Sequence, residues 1–115
     1  MDDVTIYHNP NCSTSCQVLA ELKDQGYAPR IVEYMKSGWS RERLVSLLEV
    51  MDALPRDILR TKEPEARQLL AAGADDETIL QAMITDPVLV ERPIVQTARG
   101  AVIARPPERA QQVLR

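Results

Sequence analysis

The stretch that most constrains this chain is its beginning. Val4-Thr5-Ile6-Tyr7 is an apolar, β-branched run, and it passes through His8-Asn9-Pro10-Asn11-Cys12-Ser13-Thr14-Ser15-Cys16 into a helical pattern. The order is strand, turn, helix, with both cysteines at the junction. The first N–H groups of a helix have no intrahelical partner and together carry about half a positive charge, which favours a thiolate over a thiol and attracts anions. Cys12 is therefore read as the residue that does chemistry.

Composition sets the limits around that reading. The 115 residues are read as a single domain over 1–115, with a helical insertion at about 40–90. The formal net charge is −3, the isoelectric point is near 5.1, and the lysines and arginines form no dense run. Neither nucleic acid nor an anionic membrane is expected as a partner, and any anion site must be local. No stretch approaches the roughly 20 apolar residues of a membrane span, and Met1-Asp2-Asp3 lacks the basic start and apolar middle of a signal peptide. The expected compartment is the cytoplasm. There a permanent disulfide is disfavoured, so two thiols four positions apart read as redox or catalytic groups. A metal site is not expected: a transition metal takes about four ligands, and Cys12, Cys16 and His8 are the only thiols and imidazole.

Downstream, Val18, Leu19 and Leu22 recur at helical spacing, with Gly26 as a left-handed stop for a helix begun near Cys12 or Ser13. Pro29 leads into a second strand, Arg30-Ile31-Val32-Glu33-Tyr34, parallel to the first through a right-handed crossover. Ser40 caps a helix bearing Leu44, Leu47, Leu48 and Met51 that ends near Asp52. Pro55 and Pro64 each open a short helix, the first with Ile58 and Leu59 and the second with Leu69 and Leu70 before Gly73. Asp75 caps the next, which buries Ile79, Leu80, Met83 and Ile84 before Asp86-Pro87. Ile94–Thr97 and Ala101–Ala104 flank the three-residue connection Ala98-Arg99-Gly100 as an antiparallel hairpin. Pro106 and Pro107 start a last helix with Ala110, Val113 and Leu114, where the chain ends at Arg115 with no tail. The fold class is α/β, in the order β-α-β, helical insertion, β-β-α. With a reactive cysteine after the first strand and Pro93 directly before the hairpin, it resembles the thioredoxin/glutaredoxin fold and its mixed four-stranded sheet. That resemblance implies a cis Arg92–Pro93 bond facing the cysteine.

Cys12 reads as a nucleophile, because its flanking Asn, Pro, Ser and Thr make a polar turn where a buried small hydrophobe would not sit. Ser13, Thr14 and Ser15 offer hydroxyls and backbone N–H groups that hold an oxyanion around the sulfur, cap the helix, or do both. His8, four residues before Cys12, is either an imidazolium that favours the thiolate or a solvated strand-end residue. Arginine suits tetrahedral oxyanions through its planar fork and permanent charge. Arg60 ends the short helix after Pro55, Arg92 precedes Pro93, and Arg105 follows the last strand. Each alone is an ordinary surface charge; their joint placement beside elements that would surround Cys12 points to an anion clamp.

Ile6-Tyr7-His8-Asn9-Pro10-Asn11-Cys12-Ser13-Thr14-Ser15, Leu59-Arg60-Thr61-Lys62, Glu91-Arg92-Pro93-Ile94-Val95 and Ala104-Arg105-Pro106 resemble, in matching order and over nearly the whole chain, the glutaredoxin-linked arsenate reductase family. The resemblance implies that Cys12 attacks arsenate to give a thiol–arsenate adduct, that Arg60, Arg92 and Arg105 bind the oxyanion, and that His8 helps lower the thiol pKa. It also implies glutathione as co-substrate, glutaredoxin (or thioredoxin) as partner, and no bound metal or organic cofactor. The departure is Cys16, where the compared arsenate reductases have arginine. It removes a positive charge from the first turn and adds either a resolving cysteine or one more partly buried helix residue in line with Leu19. Two other readings stay open: a thiol–disulfide reductase of another small substrate, and an Spx-like redox-sensing regulator using Cys12 and Cys16.

Overall fold

The computed structural model describes residues 3–114, so the readings of Met1-Asp2 and of Arg115 lie outside the described residues. Strands β1 (Thr5–Tyr7), β2 (Arg30–Val32), β3 (Ile94–Thr97) and β4 (Gly100–Ile103) form one mixed sheet in the order β2-β1-β3-β4. β1 pairs in parallel with β2, Ile6 opposite Ile31, and antiparallel with β3, Ile6 opposite Val95. The parallel pair needs a crossover, and helix α1 (Ser13–Asp24) supplies it. α1 starts at Cys12, whose φ of −107° and ψ of 119° make it the N-cap. It stops where Gly26 takes φ +92°, a conformation that a side chain resists.

The residues through Ser37, together with those from Arg92 onward, form one compact unit; Gly38–Glu91 form a second and cover the segment read as a helical insertion. In the first unit Val4, Ile6, Val95, Val102 and Ala104 from the sheet side meet Val18 and Leu22 of α1 and Ala110, Val113 and Leu114 of the C-terminal segment in one buried cluster. Burying each such Val or Leu contributes about 1.5–3 kcal/mol, which fixes α1 and hence its N-terminus against the sheet.

The second unit holds α3 (Arg41–Met51), α4 (Pro64–Ala71), α5 (Asp76–Thr85) and two 3₁₀ turns, Pro55–Ile58 and Pro87–Leu89. Ser40 and Asp75 cap α3 and α5 by accepting from the Arg43 and Thr78 N–H groups. α5 packs on α3 and on both 3₁₀ turns.

Several local expectations are corrected. The second strand ends at Val32 rather than Tyr34, because its partner β1 ends at Tyr7; Tyr34 instead opens a short helix, α2 (Tyr34–Ser37), with its side chain fully buried. The hairpin loop is the two residues Ala98-Arg99, since Gly100 already pairs with Thr97 and enters β4 at φ +140°. The segments after Pro55 and after Pro106-Pro107 are 3₁₀, short and starting on prolines that lack an N–H. Arg60 therefore lies past a 3₁₀ turn, next to the bridge between Leu59 and Val90. In α4 the buried residue is Ala66, while Leu70 is exposed; Ile84 and Met51 are only partly buried.

Candidate active site

The turn between β1 and α1 is braced from below. Asn9, buried, accepts the Cys12 N–H on its backbone carbonyl at 3.0 Å and the Asn11 N–H on Oδ1 at 2.9 Å. Its own N–H donates to the Ser15 hydroxyl at 3.1 Å, and that hydroxyl pairs with His8 Nδ1 at 2.6 Å. Ser15 is fully buried and His8 is 5% exposed. The Ser15 hydroxyl thus neither caps the helix nor faces the sulfur, because the buried Asn9 N–H and His8 ring claim it; Ser13 is exposed.

His8 is buried, so it is not a solvated strand-end residue. Burial is the main cause that lowers its pKa below the ordinary 6.5, opposed by Glu33 and reinforced by Lys23. A lowered pKa favours the neutral ring at neutral pH, and the contact that the ring makes is with the Ser15 hydroxyl, which supports the turn.

Cys12 lowers its own pKa by other means. Partial burial pushes the thiol up, but it is outweighed by the Ser15 backbone N–H, by hydrogen bonding and charge from Arg105, and by the Thr14 backbone N–H. The helix N-terminus and one guanidinium together favour the thiolate. Arg105 Nη1 lies 3.6 Å from Cys12 Sγ and donates to the Arg92 carbonyl at 3.0 Å. Arg92, 6% exposed, precedes Pro93 through a cis peptide bond; Arg105–Pro106 is also cis, which sequence reading did not foresee. Cys16 is an exposed free thiol one turn along α1, and its Sγ donates to the Pro10 carbonyl at 3.2 Å.

Cys12, Arg105, the Arg92 backbone, the Ser15 and Thr14 N–H groups and Cys16 thus gather at one end of the first unit. Arg60 belongs to the second unit, where the bridge of Leu59 to Val90 sets it beside Glu91: Nη1 meets Glu91 Oε1 at 2.6 Å, and Nε lies 3.5 Å from Glu63 Oε2. Sequence reading missed Asn9 and Glu91. Asn before Pro is a turn signal that could have drawn attention to the first, whereas the second is paired across 31 positions and has no local mark. Among the described residues no three His, Cys, Asp or Glu side chains gather as a metal site, and no helix is long and apolar enough to cross a membrane.

A β2-β1-β3-β4 mixed sheet, a cysteine at the N-terminus of the helix after β1 and a cis proline before β3 define a thioredoxin-like oxidoreductase. Within that class the chain belongs to the ArsC family, which it matches over residues 7–113. It is 45% identical over 107 residues to the arsenate reductase ArsI2 of Synechocystis, covering 91% of this chain and 76% of that protein. It is 35% identical to an arsenate reductase of Escherichia coli, covering 99% of this chain and 82% of that protein. A solved structure of an arsenate reductase from Vibrio cholerae superposes with a TM-score of 0.90 at 36% identity, covering 98% of each chain.

Proposed function

We propose that this chain reduces arsenate to arsenite through a Cys12 thiol–arsenate adduct, in the cytoplasm, with glutathione and glutaredoxin supplying the electrons. One observation carries the reading: a guanidinium, Arg105, stands 3.6 Å from a sulfur whose thiol pKa is lowered at a helix N-terminus. A thiolate repels an approaching oxyanion, and fixed cations with helix-end N–H groups offset that repulsion as oxygen leaves. Family membership supports the same substrate.

In the first step the Cys12 sulfur bonds to arsenic, and one oxygen of the dihydrogen arsenate anion leaves as water. A glutathione thiol then attacks the Cys12 sulfur, the S–As pair of electrons stays on arsenic, and arsenite departs from a mixed disulfide that glutaredoxin reduces. Arg105 and Arg92 hold the oxyanion. Arg60 is paired with Glu91 and Glu63 and takes an anion only by exchanging one of these carboxylate partners. No bound metal or organic cofactor takes part in these steps.

The test is arsenate reduction coupled to glutathione and glutaredoxin, comparing wild type with Cys12→Ser. Loss of turnover by about a thousandfold or more in the variant is expected. Absence of turnover in wild type, with a Cys12–Cys16 disulfide forming readily under mild oxidant, removes the arsenate assignment and leaves a thiol–disulfide reductase or sensor.

A further inference from the structure

The exposed thiol of Cys16 has no part in the steps above, yet its surroundings direct it toward them. Side chains on a helix tilt toward the N-terminus, and Cys16 follows the rule: its Sγ reaches back past the start of α1 to the Pro10 carbonyl at 3.2 Å, two residues before Cys12. The Cys16 N–H also closes the first turn onto the Cys12 carbonyl at 3.0 Å. Two residues at i and i+4 inside a helix have side chains about 5–6 Å apart, whereas a disulfide needs Cβ atoms at about 3.5–4.5 Å. Cys12 is not inside the helix. It is the N-cap, with extended φ and ψ of −107° and 119°, and its chain continues into a loop of Asn9, Pro10 and Asn11. The gap of about 1–2 Å is thus closed by rotation at a residue that no helical hydrogen bond holds through its own N–H, since that group donates to Asn9. Both thiols are free.

We infer that Cys16 is the resolving residue of the reaction: its thiol attacks the Cys12 sulfur of the thiol–arsenate adduct, so that the chain reduces one arsenate with its own two cysteines before any external thiol is needed. The inference rests on the arsenate reading above. The S–S bond forms as the S–As bond breaks, and the electron pair of the S–As bond remains on arsenic, which leaves as arsenite carrying the Cys16 proton. Two thiols have become a disulfide and arsenic has gained two electrons. Water was released when the adduct formed, so atoms and charge balance. The Cys12–Cys16 bond is then reduced by an external thiol, glutathione or a dithiol protein, which restores both sulfurs. Cys16 acts on the reacting sulfur itself and is in that sense catalytic.

The experiment uses the full chain, reduced, freed of all small thiols under anaerobic conditions, and mixed with arsenate. Wild type is expected to release about one arsenite per chain in a single burst, with peptide mapping showing a Cys12–Cys16 disulfide within one chain. Cys16→Ser is expected to give no burst and to depend wholly on added glutathione, and its glutathione-coupled turnover reports that it is folded. A wild type that makes arsenite with glutathione and glutaredoxin but none without them overturns the resolving role and leaves the arsenate reading standing. An equal burst from Cys16→Ser, or a disulfide joining two chains, overturns it as well. No arsenite from wild type under either condition overturns both.

Discussion

Arg105 and Arg60 are the same side chain put to opposite uses. Arg105 spends its hydrogen bonds on a peptide carbonyl, that of Arg92, and on the Cys12 sulfur, so its charge acts on the nucleophile. Arg60, in the other unit, is matched by Glu91 at 2.6 Å and Glu63 at 3.5 Å, and its side chain is 13% exposed. The first supplies charge to chemistry; the second has its charge answered by the protein and can serve an anion only by exchanging a partner. A charge already neutralised contributes little to lowering a barrier elsewhere. The largest expected effect follows directly. Arg105→Ala lowers kcat/KM for arsenate by about a hundredfold to a thousandfold and moves the pH midpoint of Cys12 alkylation upward, because two of the causes that lower the thiol pKa come from that residue. Arg60→Ala leaves the alkylation midpoint in place. An equal shift in both variants breaks the contrast.

Within the cysteine turn the same division of labour falls inside one residue. Ser15 serves Cys12 through its backbone N–H and serves the turn through its hydroxyl, which meets the Asn9 N–H and His8 Nδ1. Ser15→Ala therefore separates the two. It leaves a buried donor unpaired, which costs about 1–3 kcal/mol of stability in urea denaturation, while the pH midpoint of Cys12 alkylation stays at its wild-type value. A midpoint that moves with little change in stability places the hydroxyl, not the backbone, in charge of the sulfur.

Much of this was legible from the chain alone, and the reasons differ by residue. The Cys12 turn, α1, the β3-β4 hairpin and the caps Ser40 and Asp75 are written in local patterns of a few residues, so the sequence marks them directly. The end of β2 at Val32 was not legible, because it depends on where its partner β1 stops. Glu91 as the partner of Arg60 was invisible for the same reason: the bridge of Leu59 to Val90 joins residues far apart in the chain. His8 was left open between an imidazolium beside the thiol and a solvated strand-end residue, since burial, which lowers its pKa, is stated by no local pattern. Ser15 was read through both its hydroxyl and its backbone N–H; that only the backbone serves the sulfur depends on the buried Asn9 and His8, which claim the hydroxyl. In each case the residue's position was local information and its state was tertiary.

The smallest expected effect concerns that state. Burial holds the His8 pKa below 6.5, so in the interval between its folded value and 6.5 the unfolded chain binds the proton and the folded chain does not. Stability from this residue is complete above 6.5 and is lost as the pH falls through that interval, down to the folded value. The geometry agrees: the Ser15 hydroxyl accepts from the Asn9 N–H and lies 2.6 Å from Nδ1, so a ring with Nδ1 unprotonated accepts the hydroxyl proton, whereas a protonated ring presents a second donor to the same oxygen. His8→Gln removes the titrating group. Its urea midpoint is expected to change less than that of wild type between about pH 7.5 and about pH 5, with the two proteins differing most at the higher pH. Cys12 alkylation at neutral pH is expected to be nearly the same in both, since an uncharged imidazole offers the thiolate no field. A variant that loses stability in acid as steeply as wild type, or a sharp fall in its alkylation rate, returns His8 to the role of a charged neighbour of the sulfur and makes Arg105 one of two cations there.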